Sequence, residues 1–354
     1  MTTAPLITHS RPTLTAKDAR AAAAVVQSGH VAQGERVEEF ERRMASFVGV
    51  KGGVAVSSGT AAIELALLAL GVKNGDEVIL PSYVCTAPWL AVVRVGATPR
   101  LVDIEPDTYA IDPVQVKKAL TPRTRAIIVP HLFGLPADLT RLQSMNVPLI
   151  EDCAQTLGAT ERGRPVGSVG AATVCSFYAT KLLCTGEGGM LLSRNQAVLA
   201  KGRALREYDE EPALEQAAFN RKMTDMQAAL GLSQLRRLRS FLKRRAVIAR
   251  AYHKELGDLD ATLPAVPKGR THCFYRYVVR LSPHRRLDDV IARLERRGVQ
   301  CRRPVFRPIH HYLKLDGYPE SEAAYDSALS IPIYPSMSGA MVARTVAALR
   351  EELA

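Results

Sequence analysis

Cys175-Ser176-Phe177-Tyr178-Ala179-Thr180-Lys181-Leu182-Leu183-Cys184-Thr185-Gly186-Glu187-Gly188-Gly189 is a short apolar run that ends in a lysine and passes into a glycine cluster. An ε-amine held among apolar neighbours loses hydration, its pKa falls, and it becomes a nucleophile able to form a Schiff base. Ser176, upstream of Lys181, can present a hydroxyl to the same pocket. The glycines allow a tight turn or a close backbone approach to a ligand. A surface lysine in a strand-to-loop turn fits this stretch equally well. The flanking sequence has to decide.

Upstream, Gly52 and Gly53 precede a short strand over Val54 to Val56, and Ser57-Ser58-Gly59-Thr60 opens a helix over 61–70. Such a junction leaves backbone N–H groups free, and the helix dipole favours an anion there. A plain N-cap is the commoner use of Ser58 or Thr60. From Gly75 onward, strands over 77–80, 100–103, 126–129 and 147–152 alternate with helices over 87–95, 113–120 and 137–145. Short apolar strands between helices predict an α/β fold, a mostly parallel sheet covered on both faces. Ligands of such sheets gather outside the carboxyl ends of the strands. Ser57 to Thr60, Pro81 to Thr86, His131, Asp152 and Lys181 all fall near those ends. Their clustering favours the functional reading of Lys181.

Nearer the start, Thr15 caps a helix over 16–27 that stops at Gly29. An amphipathic helix with Val37, Phe40, Met44 and Phe47 on one face follows. After Asn220 the pattern changes. A long helix is expected over 225–242, capped by Thr224 and continuing over 246–256. A strand over 275–281, a helix over 287–297, another strand after Gly298, a loop holding His310 and a closing helix over 341–353 complete an α+β unit. The division is a large domain over 1–240 and a smaller C-terminal one over 241–354, with the N-terminal helix able to pack on the small domain.

Composition is that of an ordinary globular chain, and 354 residues are enough for two cores. No run of about 18 apolar residues occurs, so no membrane span is expected. Met1 to Leu6 lacks the basic and apolar regions of a leader. The six cysteines form no CxxC pair, which speaks against zinc and a disulfide framework and for a reducing cytoplasm. The net charge of +12 is spread over helices with acids interleaved. The densest cluster, Arg236, Arg237, Arg239, Lys243, Arg244 and Arg245, reads as a solvated helix face rather than a nucleic-acid footprint.

Lys181, Asp152 and an anion site at a helix start are what a pyridoxal phosphate (PLP) enzyme requires: an amine, a carboxylate for the pyridinium nitrogen and a phosphate cradle. Ser58-Gly59-Thr60-Ala61, Gly75-Asp76-Glu77-Val78, His131-Leu132-Phe133-Gly134, Glu151-Asp152-Cys153-Ala154-Gln155, Ser176-Phe177-Tyr178 with Lys181, Gly186-Glu187-Gly188-Gly189 and Met223-Thr224-Asp225 occur in one order. In these motifs the chain resembles the DegT/StrS sugar aminotransferases of PLP fold type I. The resemblance implies a large domain with a mostly parallel central sheet flanked by helices, plus a smaller α+β domain. It implies Lys181 as the Schiff-base lysine and proton shuttle, Asp152 as the pyridinium partner and Gln155 beside the ring hydroxyl. Gly59, Thr60, Ala61 and Ser176 become the phosphate cradle, and Asn220 the residue that reaches the phosphate of a neighbouring subunit in a homodimer with shared sites. His310 falls in the family's loop near the sugar. The implied reaction moves an amino group from glutamate or glutamine onto a nucleoside-diphosphate keto-sugar, in ping-pong order. A cyclitol substrate, or a regulatory protein keeping the fold, are the alternatives. Two departures stand out: Cys85 occupies the position of the family's stacking aromatic, and Arg221-Lys222 replace an aromatic and an arginine after Asn220.

Overall fold

The computed structural model describes residues 5–208 and 218–353. Met1 to Ala4, where the leader reading began, lie outside them. Helix α1 (Ala16–Ser28) opens at Thr15, whose N–H and hydroxyl both donate to the Asp18 carboxylate. Helix α2 (Glu35–Val48) starts at Gly34, which has no side chain to cap it. Its cap comes from elsewhere in the chain: Asp225 accepts the amides of Gly34, Arg36 and Val37 at 2.9, 3.2 and 3.0 Å.

The expected alternation follows: β1 (Gly52–Val56), α3 (Gly59–Ala69), β2 (Glu77–Pro81), α4 (Ala87–Arg94), β3 (Thr98–Val102), α5 (Pro113–Ala119), β4 (Thr124–Pro130), α6 (Leu139–Gln143) and β5 (Leu149–Asp152). A two-residue ladder of β6 (Thr160–Glu161) with β7 (Arg164–Pro165) leads to β8 (Ala172–Ser176), β9 (Gly189–Ser193) and α7 (Gln196–Arg206). Seven strands form one sheet in the order β1-β9-β8-β5-β4-β2-β3. Pairings from β8 to β3 are parallel, and β9 runs antiparallel to both its neighbours. Alternate residues serve opposite faces, as strand periodicity demands. Val78, Leu80, Ala126 and Ile128 enter one core, while Ile79, Ile127 and Val129 enter the other.

The long helix expected from Asp225 divides into α8 (Asp225–Leu235) and α9 (Leu238–Leu256), with the break at Arg236-Arg237. The basic cluster there is not one solvated face. Arg237 pairs with Asp18, Arg244 donates to Met337 O, and buried Arg245 donates to the carbonyls of Phe274, Tyr275 and Ile333.

A second, antiparallel sheet joins β10 (Ala261–Thr262), β11 (Tyr277–Leu281) and β12 (Ala328–Ile331). Helices α10 (Leu287–Arg296), α11 (Ile309–Leu313), α12 (Pro319–Ser327) and α13 (Gly339–Leu353) accompany it. Its core combines Ile248, Tyr252, Val279, Leu281, Val290, Leu294 and Leu349. The strand expected after Gly298 reduces to isolated bridges, Ile7 with Val299 and Arg302 with Ser330. Ile7 joins this second core, whereas α1 itself lies on α8, held by Asp18 to Ser233 at 2.7 Å. The extended residues before α1, rather than the helix, reach the second sheet. Among the described residues, no helix is long and apolar enough to cross a membrane.

Candidate active site

The site forms where β1, β5 and β8 end. Lys181 follows β8 in a loop that folds back on itself: Phe177 N–H donates to Gly188 O at 2.8 Å, and Thr185 N–H to Phe177 O at 2.8 Å. Gly188 sits at φ 154°, where a Cβ would come within 2.6 Å of Met223 Cε and Thr185 Oγ1, so only glycine closes this loop. Lys181 is half-buried, with Nζ 5.3 Å from the centre of the Tyr275 ring.

Asp152 terminates β5 and is 8% exposed. Its Oδ1 accepts the Ala154 amide at 2.9 Å, leaving Oδ2 without a protein donor among the described residues. Burial pushes this carboxyl above its ordinary value, and the Ala154 amide, Lys181 and His131 oppose the rise. A buried carboxylate with one unpartnered oxygen calls for a cationic N–H. Behind it, Glu151 is saturated by His131 Nε2 and the amides of Gly167, Val169 and Gly170. Ala137 N–H donates to His131 Nδ1, so Nε2 carries the proton toward Glu151. This network fixes the end of β5 rather than binding a metal.

Gln155 Oε1 accepts the Phe133 amide at 2.9 Å, which leaves its NH2 group as the free donor. At the start of α3, Ser58 Oγ takes the Ala61 amide at 3.1 Å. The amides of Gly59 and Thr60 precede any intrahelical acceptor. Ser176 faces them so closely that a Cβ on Gly59 would lie 2.8 Å from Ser176 Cβ. This arrangement has the free amides and hydroxyl that could hold an anion, although one of its expected amides, that of Ala61, already serves the cap.

Cys85 opens to solvent beyond β2, and protein atoms around it push the thiol up, with Asp152 adding and Lys181 opposing. Its thiol therefore shares the electrostatic surroundings of the lysine and the carboxylate. Asn220 is exposed, and among the described residues its carboxamide accepts only the Lys222 amide, at 3.2 Å. Arg221, beside it, turns inward to Glu64 at 2.7 Å. His310 lies in α11 rather than a loop and is 1% exposed. Its Nδ1 meets Ser82 Oγ at 2.6 Å, and its Nε2 meets Glu322 at 2.8 Å, a carboxylate shared with His311. Both ring nitrogens are occupied, so His310 offers no free polar atom for the expected sugar contact. It buttresses Ser82, three residues before Cys85.

Residues 12–350 match the model of the DegT/DnrJ/EryC1/StrS aminotransferase family. The chain belongs to this family. It is similar to the GDP-perosamine synthase of Caulobacter vibrioides, 36% identical over 90% of this chain and 91% of that protein. The dTDP-3-amino-3,4,6-trideoxy-alpha-D-glucose transaminase of Streptomyces venezuelae is 34% identical over 96% and 92% of the two chains. The solved PMP form of a sugar aminotransferase from Streptococcus pneumoniae superposes with a TM-score of 0.92, at 27% identity over 98% and 97% of the two chains.

In this aminotransferase one wall of the site comes from a segment that sequence reasoning read only as the start of a strand. Residues 273–276 run against the loop after β4: Cys273 N–H donates to Gly134 O at 2.9 Å, and Arg276 N–H to Phe133 O at 3.0 Å. A Cβ on Gly134 would fall 2.8 Å from the amide nitrogens of Phe274 and Tyr275, so glycine permits the approach. That contact brings Tyr275 to Lys181, with Arg276 against the same ring. The sequence held no local signal for it, because the partners are far apart in the chain.

Proposed function

We propose that this aminotransferase uses PLP to move an amino group from glutamate or glutamine onto a keto-sugar carried on a nucleoside diphosphate. The observation that carries the reading is the buried Asp152 carboxylate, one oxygen unpartnered, within electrostatic reach of Lys181. The residues fit the cofactor. When bound, PLP supplies an electron sink and carries the amino group between the two substrates. Asp152 would hold the ring nitrogen protonated, and Gln155 would offer its NH2 to the ring hydroxyl. Ser176, with the Gly59 and Thr60 amides at the start of α3 and Ala61 next in that turn, would hold the phosphate. Lys181 anchors the cofactor and moves the proton at the substrate carbon. Cys85, at the position of the family's aromatic, would face the ring.

The nucleotide-sugar substrate is supported by the names of the relatives above. Asn220 of the partner subunit completes the phosphate grip in a homodimer with shared sites, a reading supported by its exposure here. The two-domain division at 240 is supported by the second core, built from residues 248–353 with Ile7, although Val278, Val305, Ile309, Ala324 and Ala328 join the first core and α9 spans the boundary. Six unpaired cysteines support a cytoplasmic setting, and the internal use of the basic cluster supports small-molecule partners over nucleic acid.

Visible absorption of the purified protein, followed by presentation of nucleoside-diphosphate keto-sugars to its amino-loaded form, tests the reading. Wild type should show the PLP band and aminate a member of the panel. Lys181→Ala should lose turnover yet retain PLP through the phosphate cradle. Near-normal turnover by that variant would sink the mechanism.

A further inference from the structure

Helices α11 and α12 meet at three side chains whose ligand atoms converge. His310 Nε2 and His311 Nε2 each lie 2.8 Å from the same atom, Oε1 of Glu322. The three ligand atoms all fall within 4.8 Å of one another. His310 and His311 are successive residues of α11, and Glu322 stands in the first turn of α12, so tertiary contact alone assembles the trio.

Each member is held from outside. Asp103 fixes the start of α12 by accepting the Glu320 and Ser321 amides at 2.8 and 2.9 Å. Tyr318 stacks on the His310 ring with centroids 4.8 Å apart, and Tyr325 meets the His311 ring edge-on at 4.9 Å. Ser82 Oγ lies 2.6 Å from His310 Nδ1 and accepts the His310 amide at 3.1 Å. A hydroxyl on the far nitrogen is the outer partner that orients a metal-ligating imidazole and sends its Nε2 lone pair toward the ion.

The carboxylate is otherwise unspent. Among the described residues, Glu322 accepts no backbone amide and pairs with no lysine or arginine. Glu151, which faces His131, differs in accepting three backbone amides. The side chains of Glu322 and His311 are 46% and 24% exposed, so an ion can enter and keep water in its open positions. Bonds of about 2.0–2.2 Å put neighbouring ligand atoms about 3–3.5 Å apart, so the 2.8 Å contacts need open by only about 0.2–0.7 Å. Two imidazoles and one carboxylate select zinc, cobalt or nickel over magnesium or calcium, which prefer oxygen alone.

We propose that His310, His311 and Glu322 form a binding site for a divalent transition-metal ion. The ion replaces the Nε2 protons, which leave to solvent, and fastens α11 to α12 and, through His310, to Ser82 beyond β2. The site is independent of PLP.

Calorimetric titration of the PLP-loaded enzyme with Zn²⁺ tests it. Wild type should show a saturable site of one ion per chain, and Zn²⁺ should raise its melting temperature. His311→Gln and Glu322→Gln, both on accessible side chains, should each weaken that site at least about tenfold and remove the thermal shift. His284→Gln, which deletes an exposed histidine beside Asp260, should leave both unchanged. Uptake that survives both ligand variants belongs to an ion bound elsewhere and overturns the proposal, as does the absence of saturable uptake. Mg²⁺ that displaces Zn²⁺ at equal concentration would overturn the assignment to imidazole ligands.

Discussion

At Asp152 an amide would preserve shape and remove charge. Asp152→Asn should keep the fold and lower the rate by about 10³-fold or more, roughly 4 kcal/mol of transition-state stabilisation, because an amide cannot hold a pyridinium proton. Steady-state rates decide it, and a loss below about tenfold would remove Asp152 from that role. Cys85 is the converse case, a site where a ring can be added. If the thiol lies on the cofactor face, Cys85→Tyr should slow PLP release by up to about tenfold, since a well-placed aromatic pair contributes roughly 0.5–1.5 kcal/mol beyond burial. Release rate and melting temperature measured on one sample separate this from overpacking, which would cost about 1–3 kcal/mol of stability and leave release unchanged. The exposure of Cys85 and its electrostatic coupling to Lys181 favour the first outcome.

Elements here are joined by side chains that act on helices other than their own. Asp225 begins α8 but caps α2, accepting three of its amides. Asp225→Ala should therefore destabilise by about 1–3 kcal/mol, read as a lower urea midpoint, because buried amides lose a charged acceptor. Asp18 ties α1 to α8 and to Arg237. Burial alone would raise its carboxyl, but Ser233, Arg237 and Thr15 bring it from 3.8 to about 2. A carboxyl depressed on folding stabilises fully above its unfolded value and loses that contribution as pH falls through the folded one. The stability gap between wild type and Asp18→Asn should thus be constant above 3.8 and shrink as pH falls toward about 2. A gap that does not depend on pH would mean that Asp18 acts through packing alone.

For the molecule as a whole, shared sites make a sharp demand. If Lys181 of one protomer works with Asn220 of the partner subunit, Lys181→Ala and Asn220→Ala homodimers should each be poor enzymes. Refolded together, they form heterodimers with one intact site, restoring about a quarter of wild-type activity by random pairing. No gain on mixing would confine each site to one chain. The same scale explains why the chain needs its second sheet. Tyr275 and Arg276 precede β11, and the contact of their segment with Gly134 makes them a wall of the first sheet's site.

The placement of Lys181, Asp152, Ser176 and the Gly59–Ala61 turn beside strand ends was legible because its signals are local: a strand ends, a polar or small residue follows, and the alternation of strands and helices gathers such ends on one edge of a parallel sheet. The large domain's order was legible for the same reason. Other features depended on pairs distant in sequence. The break at Arg236-Arg237 interrupts a pattern that reads as one helix, and Arg237 turns to Asp18 from α1. β9 is an antiparallel strand hidden behind a glycine cluster, and its register comes from β1 and β8. His310 looked like a loop residue available to a sugar, but Ser82 and Glu322 occupy both its nitrogens. Periodicity carries the burial of an element's own face. Which cation lies over which ring, and which carboxylate caps which helix, is decided only when the folded chain brings remote residues within hydrogen-bond reach.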